Sequence, residues 1–184
     1  MRFYAGNKIL SIGYSLKGEL SGLLQVSKNQ IVLPERFSKT RISYIYKTKE
    51  RRNDSVLLNL ILDKLNLQYK IIDTLTEVMQ LEVVDKGLLE KFADDEVVGM
   101  VSRTSTSNTY IGISKGLFSS FKSEIEGAFN TIVILKDEKN FDKKVSVTIR
   151  RDSLDRLKES LKTYGIEVSF VKIPLKAYRF QTAN

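Results

Sequence analysis

The residues of this chain with the clearest chemistry are arginines and lysines that recur at short intervals between positions 28 and 52, with a further pair at 150 and 151. Their guanidinium and ammonium groups bind phosphate oxygens, and such contacts hold a protein on a nucleic-acid backbone. The pattern therefore predicts a nucleic-acid-binding surface. The predicted contact residues are Lys28, Arg36, Lys39, Arg41, Lys47, Lys49, Arg51, Arg52, Arg150 and Arg151.

Two tyrosines stand among these basic residues and leave two interpretations open. Tyr44 and Tyr46 lie between the basic residues Arg41 and Lys47, so their rings could stack on unpaired bases. They also share a strand face with Ile42. In that case they are core residues, and the basic side chains alone contact phosphates.

The residue types that are missing exclude most enzyme chemistry. The sequence contains no histidine and no cysteine, which excludes histidine- and cysteine-dependent nucleophilic catalysis and nearly all transition-metal sites. Magnesium held by carboxylates remains, with Asp73, Glu82, Asp85 and residues 94–96 as candidate ligands. Val84 stands where a PD-(D/E)XK nuclease would need its lysine. We therefore predict no enzyme, no metal and no cofactor, and keep a magnesium-dependent nuclease as an alternative.

Charge is distributed unevenly along the 184 residues, which carry a formal net charge of +8. Counting lysine and arginine against aspartate and glutamate gives +8 for residues 1–52, −6 for 53–100, +1 for 101–135 and +5 for 136–184. Basic segments favour polyanions, because each neutralised phosphate releases counterions. The acidic middle favours a partner or a second copy of the chain, so we expect a homo-oligomer. The excess lysine has a second interpretation, a solvated surface without a ligand.

One local motif resembles a known family. Residues 26–37, Val-Ser-Lys-Asn-Gln-Ile-Val-Leu-Pro-Glu-Arg-Phe, are similar to the opening hairpin of the AbrB-like swapped-hairpin transcription regulators. The resemblance extends over residues 22–40, with Asn29 in place of the usual turn glycine. It implies two short strands joined by a turn, an intertwined dimer, and DNA contacts from Lys28, Arg36, Lys39 and Arg41.

The periodicity of apolar residues predicts an α+β protein with two regions. Residues 1–101 are expected to be β-rich with one amphipathic helix at 54–66, because Leu57, Ile61 and Leu65 recur at helical spacing. Residues 105–184 read as strand-helix-strand twice, which is the order of a ferredoxin-like βαββαβ domain. The Ser/Thr-rich stretch at 102–109 is the expected boundary.

These features together predict a nucleic-acid-binding regulator or accessory protein that acts by phosphate contacts and not by catalysis. DNA is favoured over RNA through the resemblance to transcription regulators. No stretch reaches the roughly 20 apolar residues of a membrane-spanning helix, so we expect a cytoplasmic protein with no membrane partner. The alternatives are a structural protein that forms homo-oligomers and the magnesium-dependent nuclease.

Overall fold

The computed structural model of the chain describes residues 2–5, 8–47, 54–93, 103–141 and 144–183. They form a mixed α+β structure that divides into two compact units. Unit 1 comprises Met1–Thr74 and Pro174–Asn184, and unit 2 comprises Leu75–Ile173. The stretch 102–109, expected as the boundary, belongs to unit 2, and the division between the units falls within two long strands. Each helix among the described residues is too short or too polar to span a lipid bilayer.

Unit 1 contains the first half of the elements. They are β1 (Arg2–Ala5), β2 (Lys8–Ser15), α1 (Leu16–Leu24), β3 (Ile31–Val32), β4 (Arg41–Lys47), α2 (Asp54–Leu65) and the start of β5 (Leu67–Val83). Strands β1, β2 and β4 form an antiparallel sheet with β2 in the centre. The predicted helix at 54–66 is confirmed, and its leucine and isoleucine stripe lies in the core with Leu16, Leu20 and Phe180.

Unit 2 contains the remaining elements. They are α3 (Lys86–Glu90), β6 (Arg103–Thr106), β7 (Tyr110–Leu117), α4 (Phe121–Phe129), β8 (Val133–Lys136), β9 (Lys144–Arg150), α5 (Leu154–Lys162) and the start of β10 (Ile166–Thr182). Strands β6, β7 and β9 form an antiparallel sheet. Its inner face packs alternate residues of β9, including Val147 and Ile149, against Phe118, Phe121 and Leu157.

Strands β5 and β10, each of 17 residues, are neighbours in one sheet and pass through both units. In unit 1 the amide of Ala183 donates to the carbonyl of Asn66 at 2.9 Å, and the Thr74 hydroxyl donates to the carbonyl of Leu175 at 3.2 Å. These pairs run in opposite directions along the chain, so the strands are antiparallel. Each unit is completed by a short parallel strand, β3 on β10 in unit 1 and β8 on β5 in unit 2.

The two units repeat one order of elements: a hairpin, a helix, a short strand, a strand that joins the hairpin, a helix and a long strand. They also share an irregularity. Gly13 in β2 and Lys115 in β7 interrupt the register at positive φ, 58° and 55°. Their amides donate to the hydroxyls of Ser43 and Ser146 at 2.9 Å and 3.1 Å. A β-bulge in the same place with the same serine indicates an internal repeat.

The ferredoxin-like arrangement predicted for residues 105–184 is not confirmed. That arrangement puts all four strands in one sheet, whereas here β7 pairs antiparallel with β9 and with β6. Strands β8 and β10 belong to a different sheet, which is mixed because β8 runs parallel to β5. The sequence showed the element order correctly, but the pairing depends on strands from outside the predicted region.

The hairpin expected at residues 22–33 is also not what the chain forms. Residues 16–24 are helix α1, because the Ser15 hydroxyl caps the helix by accepting from Gly18 and a leucine stripe faces the core. Ser27 and Gln30 then form a reciprocal capping box around the 3-10 turn Lys28–Gln30. Only Ile31–Val32 is strand, and its partner is β10. The local structure implied by the resemblance to swapped-hairpin regulators is therefore absent.

Candidate nucleic-acid interface

The outer face of the unit 1 sheet brings two lysines directly opposite each other. Lys8 in β2 and Lys47 in β4 are cross-strand partners in the antiparallel register. The next pair on this face is Leu10 with Ile45, whose side chain is 62% exposed. Like charges in this position repel each other and destabilise the strand pair. A bound anion would remove that repulsion.

A second group of basic side chains lies at the amino end of α1, close to the same sheet. Arg41 is opposite Ser15 and donates from Nη1 to the carbonyl oxygen of Gly13 at 2.9 Å, which fixes its guanidinium beside the bulge. Lys28 passes over Gly18, and a Cβ on that glycine would lie 3.3 Å from the lysine Cε. The backbone N–H groups at a helix amino end add partial positive charge. The side chains of Arg41 and Lys28 therefore bring two positive charges to this end of α1, while Glu19 in its first turn offsets the partial charge of the helix end itself.

Few carboxylates compensate this charge. Residues 8–47 contain seven lysines and arginines and only two acidic residues, Glu19 and Glu35. Glu19 is fully buried, where its Oε1 accepts from the Tyr44 hydroxyl at 2.6 Å. Glu35 is thus the one exposed carboxylate of this segment, and none of the seven basic residues is in an ion pair with another described residue.

The other predicted contact residues in unit 1 have separate positions. Arg36 lies 4.8 Å from the ring centre of Phe37 and donates to the hydroxyl of Thr182. Lys39 is exposed in the turn before β4. The remaining three, Lys49, Arg51 and Arg52, lie outside the described residues.

The tyrosines of β4 face inward. Tyr44 is half-buried and its hydroxyl is bound to Glu19, while Tyr46 packs against the core of unit 1. Of the two interpretations drawn from the sequence, this position agrees with core packing and leaves the basic side chains as the candidate contacts.

Arg150 and Arg151 in unit 2 are already paired with carboxylates. Arg150 donates to both oxygens of Asp152, from Nε at 3.1 Å and from Nη2 at 2.7 Å, and Arg156 contacts the same carboxylate at 3.1 Å. The hydrogen bond from Arg150 lowers the pKa of Asp152 to about 2. Arg151 lies 3.6 Å from Glu124. These two arginines are therefore less available to phosphate than those of unit 1.

The register of unit 2 offers a direct comparison with unit 1. The pair equivalent to Lys8 and Lys47 is Tyr110 and Arg150, in which one residue is uncharged and the other is neutralised by Asp152. The Arg150 side chain is thus in an ion pair in unit 2, whereas no carboxylate of the described residues pairs with Lys8 or Lys47 in unit 1.

The carboxylates considered for a magnesium site are dispersed. Glu82 accepts from Lys136 Nζ at 2.8 Å, an interaction that raises the lysine pKa. Asp85 caps α3 by accepting from Leu88 N at 3.1 Å, and Asp73 is exposed on β5. Within the described ranges no three acidic residues come together as a metal site. Residues 94–96 lie outside those ranges.

The sequence did not identify Lys8 as a site residue. It also did not show that Gly18, which has no Cβ, leaves space for the Lys28 side chain. The signal for Lys8 was the alternation of β2, which places it on the less buried face with Leu10 and Ile12. Its position opposite Lys47 depends on a strand pairing between residues about 40 positions apart, which no local pattern contains.

Comparison with protein-family models, with curated proteins and with solved structures found no match for this chain.

Proposed function

We propose that this protein binds nucleic acid through phosphate contacts made by unit 1. The proposed contacts, called the basic face below, are Lys8 and Lys47 at one end of the β2–β4 pair and Arg41 and Lys28 at the other. The observation that carries the proposal is the direct opposition of Lys8 and Lys47, neither of which forms an ion pair with a carboxylate of the described residues. Unit 2 neutralises the same position with Asp152, so a repulsive pair is not a requirement of this sheet.

Two effects favour binding: counterions are released from the nucleic acid, and the repulsion between Lys8 and Lys47 is removed. Each phosphate that a lysine or arginine neutralises releases condensed counterions, and each contact adds about −0.9 to the slope of log binding constant against log salt for duplex DNA. Four contacts would give a slope of about −3.6. Arg41 is already oriented by the Gly13 carbonyl, which reduces the entropy that the side chain loses on binding.

Duplex nucleic acid fits this face better than a single strand. The exposed apolar side chains described between its basic residues, Ile12 and Ile45, are aliphatic. Recognition of single strands depends on aromatic rings on which bases stack. Contacts to the duplex backbone need only charge and hydrogen-bond donors. We therefore infer a preference for a nucleic-acid duplex over a single strand, and propose duplex DNA as the partner and a regulator or accessory protein that acts by binding as the role.

The proposal is tested by fluorescence anisotropy with labelled duplex DNA, single-stranded DNA and duplex RNA. We expect the double variant Lys8→Ala/Lys47→Ala to bind duplex DNA at least ten-fold more weakly at moderate salt. A matched control is Lys139→Ala/Lys162→Ala, which removes the same charge from two exposed positions in unit 2. Equal weakening by both variants would show a response to net charge alone. Absence of binding by the unmodified protein at low salt would refute the proposal and favour the assembly role.

A further inference from the structure

Unit 1 has an apolar groove between the outer edge of β4 and helix α2. It encloses about 240 Å³ and is lined by Ile42, Ile45, Tyr46, Leu57, Leu60 and Lys64. Leu60 is 53% exposed and Ile45 is 62% exposed. Strand β4 is the last strand of its sheet, and no described strand pairs with its outer edge. An open strand edge beside exposed leucine and isoleucine is a common site for the addition of another chain.

In unit 2 the equivalent groove is occupied by residues of the chain itself. There the corresponding edge belongs to β9 and the corresponding helix is α5. Residues 92–93 lie along that edge: the carbonyl of Phe92 accepts from Ser146 N at 3.1 Å, and Ala93 forms an antiparallel bridge with Val145. The Phe92 ring meets the Tyr164 ring edge-on, with 4.7 Å between ring centres.

Helix α3 also covers the groove between β9 and α5. Leu89 is 4% exposed and belongs to the core of unit 2. The β9 groove is therefore occupied by a short helical turn with the buried Leu89. Phe92 follows three residues later, and the backbone of residues 92–93 extends the sheet. Its sequence from Asp85 to Ala93 is Asp-Lys-Gly-Leu-Leu-Glu-Lys-Phe-Ala.

The two grooves correspond residue by residue at the strand edge. Ser43 and Ser146 receive the bulge amides of Gly13 and Lys115, so they occupy the same position in β4 and β9. Because Ser146 donates its amide to Phe92, the amide of Ser43 is the equivalent donor at the open edge of β4.

We propose that the β4–α2 groove binds a peptide segment of a partner protein in the way that residues 85–93 cover the β9–α5 groove. The segment carries a leucine on a helical turn, an aromatic residue three positions later, and a backbone that pairs antiparallel with β4. It is acidic, because Arg41 and Lys47 stand at the two ends of β4 and Lys64 lines the groove.

A second copy of the chain fits the edge less well. Antiparallel pairing of β4 with another β4 would place Arg41 of one copy near Lys47 of the other at both ends of the pair. Like charges across a strand pair are destabilising. The same charges attract an acidic segment, which favours a different protein as the occupant.

The probe is a fluorescein-labelled peptide of residues 84–93 carrying Lys86→Glu and Lys91→Glu. We expect saturable binding to the full chain that weakens with salt, and at least a ten-fold loss with Leu60→Glu, which puts a carboxylate in the groove at an exposed position. Leu75→Glu is the matched control, because Leu75 is 72% exposed on β5 and lies outside the groove. A scrambled peptide of the same composition controls for charge.

Three results would overturn the proposal. The first is no saturable binding of the peptide up to about 1 mM, the limit of a weak specific contact. The second is equal loss of binding with Leu60→Glu and Leu75→Glu. The third is a dimer in sedimentation velocity that Leu60→Glu dissociates, which would identify a second copy as the occupant. Circular dichroism of each variant verifies that it remains folded.

Discussion

Replacing Gly165 by alanine should destabilise unit 2 strongly. This glycine joins α5 to β10 at a φ of 74°, and its carbonyl accepts from Val84 N at 2.8 Å and from Asp85 N at 3.1 Å. A Cβ would lie 2.2 Å from the carbonyl oxygen of Asp85, closer than any real contact. The neighbouring backbone would have to move, and the two hydrogen bonds would be lost or stretched.

The magnitude follows from three contributions. Left-handed backbone costs a residue with a Cβ about 1–2 kcal/mol, and each lost hydrogen bond costs about 0.5–1.5 kcal/mol. The smaller entropy of unfolded alanine offsets about 0.4–1 kcal/mol. The net loss in the free energy of unfolding should be about 3 kcal/mol for Gly165→Ala.

The assay is urea unfolding followed by circular dichroism and tyrosine fluorescence, since the chain contains no tryptophan. Hydrogen exchange of residues 84–93 localises the effect. The matched control is Gly127→Ala in the last turn of α4, where a Cβ meets nothing within 4 Å. There alanine should stabilise by about 0.5–1 kcal/mol. A loss below about 1 kcal/mol for Gly165→Ala would refute the reasoning.

Two further predictions concern buried and exposed carboxylates. Tyr44→Phe should lower the free energy of unfolding by about 1–3 kcal/mol in urea titrations, because it removes a hydrogen bond to the fully buried Glu19; an unchanged midpoint would contradict this role. Arg150→Ala should raise the pKa of Asp152 from about 2 toward its ordinary value of 3.8, measured by carboxyl-carbon NMR. Because the pKa of the folded state is lowered, the stabilisation by this ion pair is present above pH 3.8 and is lost as the pH falls toward 2. An Asp152 pKa near 2 in the variant would assign the shift to Arg156 instead.

Local patterns predicted single elements well. Helix α2 follows from its leucine stripe, and α5 from the same spacing of Leu154, Leu157 and Leu161 before Gly165. Helix α1 was missed because Gly18, Ser21 and Gly22 weaken the helical pattern, while Ser27–Gln30 imitates a hairpin turn. The capping role of Ser15 and the burial of Leu16, Leu20 and Leu23 prevail over these weak propensities.

Pairing between distant strands could not be read from the sequence. The two units each use a half of β5 and a half of β10, so the chain segments of unit 1 are separated by the whole of unit 2. The opposition of Lys8 and Lys47 has the same origin, since the register between β2 and β4 decides it. The predicted basic residues were chosen by composition, and composition does not distinguish Arg150, neutralised by Asp152, from Arg41, which is in no ion pair with a described residue.

The salt dependence of duplex DNA binding tests the central claim most directly. The unmodified protein should show a slope of log binding constant against log salt of about −3.6, and Lys8→Ala/Lys47→Ala should reduce its magnitude by about 1.8, two phosphate contacts. Lys139→Ala/Lys162→Ala should leave the slope unchanged. A slope that does not respond to Lys8 and Lys47, or that responds equally to the control, would contradict phosphate binding by the basic face.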